Sequence, residues 1–149
     1  MQVNSKAYGP VDVDERQKIF FPSGILGFEN LKYYVLLDAQ QKPFYWLQCL
    51  EVAEIAFVMI DPAVFRPDYK VSVPKEELEE IGIEKAEDIL LFSIVTIPEN
   101  TEKMTANLQG PVIINKRTRV GRQSISNDPR WKVRHYIMEE LAALRQGTC

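Results

Sequence analysis

His135 is the only histidine in the chain, and Cys49 and Cys149 are the only cysteines. Imidazole is the side chain whose charge changes near neutral pH, so His135 is the first place to look for acid–base chemistry. A catalytic pair would have to recruit an Asp, Glu or Cys from elsewhere in the chain. The spacing points the other way: Trp131, Val133, His135 and Ile137 fall at alternate positions with charged residues between them. That is the period of a half-buried strand, and it predicts a structural, hydrogen-bonded histidine. Cys49 sits between Gln48 and Leu50 in an aromatic, apolar stretch, with no neighbour that would lower its thiol pKa. One His and two distant Cys do not make a zinc set. Gly24 and Gly27 in PSGILGFE lack the Lys-Ser/Thr ending of a phosphate-cradling loop. The residues thus give no catalytic set, no metal site and no cofactor site, and the expectation is a protein that is not an enzyme.

The chemistry that remains is binding. From Lys75 to Leu90 the acids Glu76, Glu77, Glu79, Glu80, Glu84, Glu87 and Asp88 stand against Lys75 and Lys85, a net of −5. From Lys116 to Arg134 the bases Lys116, Arg117, Arg119, Arg122, Arg130, Lys132 and Arg134 stand against Asp128, a net of +6. The whole chain carries −3, so the charge is bipolar in sequence. Such asymmetry bears on steering and partner choice. Cationic residues near Trp131 and Tyr136 also suit phosphate and base contact, so RNA binding through residues 116–134 is the alternative reading. A third candidate is the connection Val64 to Tyr69, where Phe65, Asp68 and Tyr69 lie on an irregular loop. Its two aromatics serve either an interface or the core. The candidate partner-binding residues are therefore Glu76, Glu77, Glu79, Glu80, Phe65, Asp68 and Tyr69, with Asn107 at the turn that opens the stretch Met104 to Gln123.

The elements that must hold these residues are mostly strands. Short apolar runs separated by Gly/Pro turns recur along the chain: Gln2–Tyr8, Val11–Val13, Lys18–Phe21, Tyr33–Asp38, Phe44–Leu50, Ala56–Asp61, Val71–Val73 and Asp88–Ile97. Val112–Ile114 and Thr118–Ser126 follow, joined by a turn at Asn115-Lys116, and Gly121 marks a bulge or a close backbone approach. Pro74 opens a short helix to Ile81 that Gly82 stops; Leu26–Leu31 reads as a helical turn, and Met138–Gln146 as a C-terminal helix. About ten strands with two or three short helices predict a mainly β chain, an antiparallel barrel or sandwich. At 149 residues and 46% hydrophobic content the chain reads as one domain, with a charged, helix-prone tail from about residue 138. No apolar run reaches the length of a membrane span and no secretory signal opens the chain, so the cytoplasm is the expected location.

TANLQGPVIIN followed by GRQ resembles the signature of the FliW family of bacterial flagellar assembly factors. So do FPSGILGFENLKYYVLL (Phe21–Leu37), PFYWLQCL (Pro43–Leu50), IDPAVFRPDY (Ile60–Tyr69) and VRHYI (Val133–Ile137), in the same order. The resemblance implies a mainly β, barrel-like core. It also implies two protein partners: flagellin, and CsrA, a small RNA-binding dimer that represses flagellin translation. Binding CsrA would relieve the repression, free flagellin would draw the protein away, and synthesis would follow export.

Overall fold

A computed structural model of the chain describes residues 1–146, so Cys149 and the very end of the expected tail lie outside the described residues. The described residues form eleven strands and two α-helices. A hairpin of β1 (Gln2–Ser5) and β2 (Gly9–Asp12) stands apart from the main sheet. The sheet itself runs through β3 (Lys18–Phe20), β4 (Tyr33–Asp38), β5 (Tyr45–Cys49), β6 (Ala56–Ile60) and β7 (Ile89–Thr96) as consecutive antiparallel neighbours. From β7 the chain continues into β8 (Thr105–Ala106), β9 (Val112–Asn115), β10 (Val120–Gln123) and β11 (His135–Tyr136).

Closure depends on how β7 shares its edges. Ser93–Val95 pair with β6 on one side. On the other side Ile89–Phe92 pair with β9, and Val95–Thr96 pair with β8. β9 then pairs antiparallel with β10, and β10 reaches β3 through one parallel bridge, Val120 to Phe20. Strands β3–β7, β9 and β10 thus close into a seven-stranded barrel, while β8 and β11 extend β7 past the rim as a flap. Closure removes the edges of the barrel strands themselves, leaving edges only at the flap and the separate hairpin.

Alternation along the strands distributes the apolar residues between three cores. Tyr34, Leu47, Cys49, Met59, Phe92, Val112 and Ile114 fill the barrel interior. Val35 and Leu37 of β4 point outward, under the β1–β2 hairpin with Val3 and Val13. Ile60 and Val95 also point outward, into a core completed by Phe65, Tyr69, Trp131 and Ile137. Strands covered on both faces are apolar on both faces, which is why Phe44–Leu50 shows no alternation.

Several local expectations give way. Gly9-Pro10 lies inside β2, and the hairpin turn is Lys6–Tyr8. Pro10 is accommodated because the hairpin is an edge. Val71–Val73 forms no strand, although Ser72 accepts one backbone bond from Asn127, since no neighbour supplies a ladder. Leu26–Leu31 is a pair of tight turns, not a helical one, around the bridge between Ile25 and Phe28. The strand expected over Trp131–Ile137 shrinks to β11, because the backbone N–H of Lys132 donates to Nε2 of His135 and bends the chain. Val133 consequently points to solvent, not core. The return strand starts at Val120, two residues late. Asn115 Oδ1 accepts the N–H groups of Arg117 and Thr118, which prolongs the turn to Arg119 at φ 61°. Helix α1 (Lys75–Glu80) and the C-terminal α2 (Ile137–Arg145) occur where the chain predicts them.

Candidate functional site

The barrel is open at the end where β3, β5, β7 and β10 finish. Interior-facing Phe57, Ile94 and Gln123 surface there, at the floor of a groove of about 740 Å³. Beyond the rim the flap carries the wall upward. Val95, Ala106 and Ile137 face the core around Trp131, whereas Thr96, Thr105 and Tyr136 line the groove. The opposite wall is the loop that carries Ile25 and Leu26. Leu26 and Val133 are about half exposed (50% and 53%), and Tyr136 is 38% exposed. Phe28 lies beside them, its ring edge-on to Phe57 at 5.3 Å. Apolar side chains left open together around a concavity mark a docking surface more often than scattered single ones do.

Gln123 ties the Leu26 loop to the turn that follows β8. Its Oε1 accepts the Leu26 N–H at 3.1 Å, and its Nε2 donates to the Gly110 carbonyl at 2.9 Å. Asn107 Oδ1 accepts from Gly110 N–H at 2.8 Å, while the Asn107 N–H donates to Ile94 and prolongs the β7–β8 ladder. The Leu26 loop needs Gly24 at φ 68°, where a Cβ would come within 2.7 Å of the Glu29 Cα. Among the described residues, Lys103 and Arg134 stand at the groove with no ion pair, and no carboxylate lines it. Of the candidate protein-partner residues predicted from the sequence, Asn107 alone lies in this groove, while Arg134 and Tyr136 come to it from the segment considered for RNA. Leu26, Val133, Tyr136, Lys103 and Arg134 were not singled out for it; the available signal was the pair of glycines around Ile25-Leu26, which sets a bulky side chain on a tight exposed turn.

The four glutamates lie nearby on α1, and the fold divides them. Glu77 and Glu80 pair with Arg122 of β10, the first at 3.2 Å. Glu84 and Asp88 each approach Arg117 at 3.9 Å. The acidic and basic segments therefore fold against each other and neutralise much of the asymmetry seen in sequence. Glu76 and Glu79 are exposed and make no ion pair among the described residues. The helix ends as its sequence predicts: Gly82 at φ 75° donates to Glu79, and Ile83 donates back to Leu78, satisfying the last carbonyls. Ser23 Oγ reaches Glu80 at 3.5 Å, so the loop bearing Leu26 also touches α1.

In the Val64–Tyr69 connection the two aromatics are core, while Val64, Pro67 and Asp68 are exposed. Phe65 is fully buried; Tyr69 packs on Trp131 at 4.8 Å and donates its hydroxyl to the Leu108 carbonyl at 2.7 Å. Burial pushes the Tyr69 hydroxyl pKa up. Asp68 is exposed and is held below the usual carboxylate range, chiefly by its hydrogen bonds from Arg66. Arg66 also reaches Glu140 of α2 at 2.8 Å, and its guanidinium lies 4.6 Å from the Trp131 ring centre. Arg130 covers the same ring at 4.9 Å. His135 accepts from Lys132 at Nε2, so Nδ1 carries the proton and donates to Glu140 at 3.0 Å. Both ring nitrogens of this histidine are thus engaged within the chain, although the strand from which its hydrogen-bonded role was predicted is only two residues long. Cys49 is buried in the barrel. Among the described residues no cluster of three or more His, Cys, Asp and Glu is placed to hold a metal ion, and no helix is long and apolar enough to cross a membrane.

Known proteins share this sequence and this barrel. The family model described as "FliW protein" matches residues 2–137. The flagellar assembly factor FliW of Treponema denticola is 43% identical over 96% of this chain and 97% of its own length. The Caldicellulosiruptor saccharolyticus protein of the same name is 44% identical over 93% of this chain and 91% of its own. A crystal structure of the flagellar assembly factor FliW superposes with a TM-score of 0.85 at 31% identity, covering 92% of this chain and 96% of that one. A closed barrel extended by a flap, and matching sequence across nearly the whole length, lead to one conclusion: the chain belongs to the FliW family of flagellar assembly factors.

Proposed function

We propose that this protein is a non-catalytic regulator of flagellar assembly that binds flagellin and CsrA in the cytoplasm, relieving CsrA repression until free flagellin draws it away. The observation that carries the reading is the open barrel mouth, where Leu26, Val133 and Tyr136 are exposed around a concave surface. Small barrels ordinarily fill or close such an end, and an apolar surface kept open invites an apolar partner. Flagellin is the partner assigned to it, because that contact is expected to be apolar and shape-driven. The exposed Glu76 and Glu79 on α1 supply the electrostatic half of the CsrA contact. An acidic helix can dock beside a cationic RNA-binding surface and add repulsion against RNA phosphate.

The test is co-elution of the purified protein with monomeric flagellin on a sizing column. A complex at micromolar concentration is expected; no shift at tens of micromolar, with both proteins folded, would contradict the reading. RNA binding through residues 116–134 is tested in parallel by measuring retention of structured RNA at physiological salt, and retention would favour that alternative. The fold already weakens that alternative, since Arg117, Arg122 and Arg130 are engaged with carboxylates of the same chain.

A further inference from the structure

We infer that the mouth groove selects an apolar segment of flagellin that carries a carboxylate, with Lys103 and Arg134 as the groups that read the charge. The inference rests on the flagellin reading above and adds the chemistry of the contact. Three observations support it. Leu26, Val133 and Tyr136 offer exposed apolar surface on both walls of one groove. Lys103 and Arg134 lie at the same groove and have no ion pair among the described residues, although most other arginines of the basic segment do. Among the described residues no carboxylate lines the groove to neutralise them.

A wholly apolar segment would leave the two cationic groups at the groove partly desolvated and without a partner. A segment carrying phosphate-like charge density alone would leave the apolar walls unused. An apolar segment with an acidic side chain satisfies both, and an arginine offers its carboxylate a two-pronged contact that fixes orientation. Rim charges act mainly on encounter and on salt dependence, so the signature of the contact is its ionic-strength response.

The experiment titrates purified monomeric flagellin into the protein by calorimetry at low and at moderate salt. The variants are Lys103→Glu/Arg134→Glu, Lys103→Gln/Arg134→Gln and Val133→Ser, each checked for native circular dichroism. All three sites are exposed, so the fold is expected to survive. For the unaltered protein, salt should raise the flagellin Kd several-fold. The Gln pair should raise Kd about tenfold at low salt and flatten the salt response, and the Glu pair should raise it further and reverse the response. Val133→Ser should weaken binding with the salt response intact. If the unaltered protein binds flagellin but both charge pairs bind equally well with the same salt response, the inference fails and the partner stands. It also fails if the charge pairs weaken CsrA binding instead, or if they change only self-association on the sizing column. If the unaltered protein does not bind flagellin, the underlying reading fails with it.

Discussion

Arg66 joins the Val64–Tyr69 connection to α2 and to the segment before β11. It ties Asp68 in its own loop to Glu140 on α2 and lies over Trp131. Partly exposed ion pairs contribute little singly, but a guanidinium also stacked on an aromatic ring adds to them. Arg66→Ala is expected to cost about 1–2 kcal/mol, read as a lower midpoint in urea unfolding with unchanged slope. The pH response has a defined sign. The Asp68 carboxyl titrates below its ordinary value in the folded state, so its stabilisation is present above about pH 4 and is lost as pH falls through the lower folded value. Asp68→Asn should therefore destabilise slightly at neutral pH and converge on the unaltered protein in acid, as thermal unfolding across that range would report. At this scale the sequence was ambiguous for a physical reason. Phe65 and Tyr69 are equally apt for a core or an interface, and only the arrival of Trp131 from a distant segment decides for the core.

The strands were legible wherever burial on one or two faces imposed a pattern, as in β4 to β7 and β9. Val71–Val73 has strand-forming residues but no ladder partner, and the short β8 is too brief to show any period. The groove was nearly invisible from sequence, because its walls come from the Leu26 loop, β7, β8 and β11, and no local pattern announces that they meet. Helix α1 was visible, but the pairing of its inner face with Arg122 was not. That pairing yields a contrast: Glu77→Lys/Glu80→Lys should cost about 1–3 kcal/mol by setting lysines against a half-buried Arg122. Glu76→Lys/Glu79→Lys should leave stability within about 0.5 kcal/mol while slowing CsrA association. Stopped-flow association beside thermal unfolding would separate the two, and equal association rates in a folded Glu76/Glu79 variant would move the CsrA contact elsewhere. In the opposite wall, Gly24→Ala adds a Cβ against Glu29 backbone at a left-handed φ, for a cost of about 1–3 kcal/mol. Since this loop carries Leu26, flagellin affinity should fall more than in an exposed-surface control, as calorimetry would show.

The two proposed surfaces are neighbours on the whole molecule. Arg122 holds α1 and the adjacent Gln123 holds the Leu26 loop, while Ser23 contacts Glu80 on the loop that leads to Leu26. The chain exposes 8575 Å², and a standard interface takes about 800 Å² from each partner. Two partners seated on adjacent patches of so small a surface would collide or share the same loop. On the proposed reading flagellin and CsrA therefore exclude or weaken each other. If binding is exclusive, flagellin at 100 times its Kd raises the apparent CsrA Kd about 100-fold, close to 2.7 kcal/mol. If the sites are only coupled, CsrA must weaken flagellin binding by the same factor. The direct measurement is a calorimetric titration of CsrA into this protein, alone and saturated with flagellin. The account predicts a large loss of CsrA affinity in the second titration; equal affinities in both, with a ternary complex on the sizing column, would contradict it.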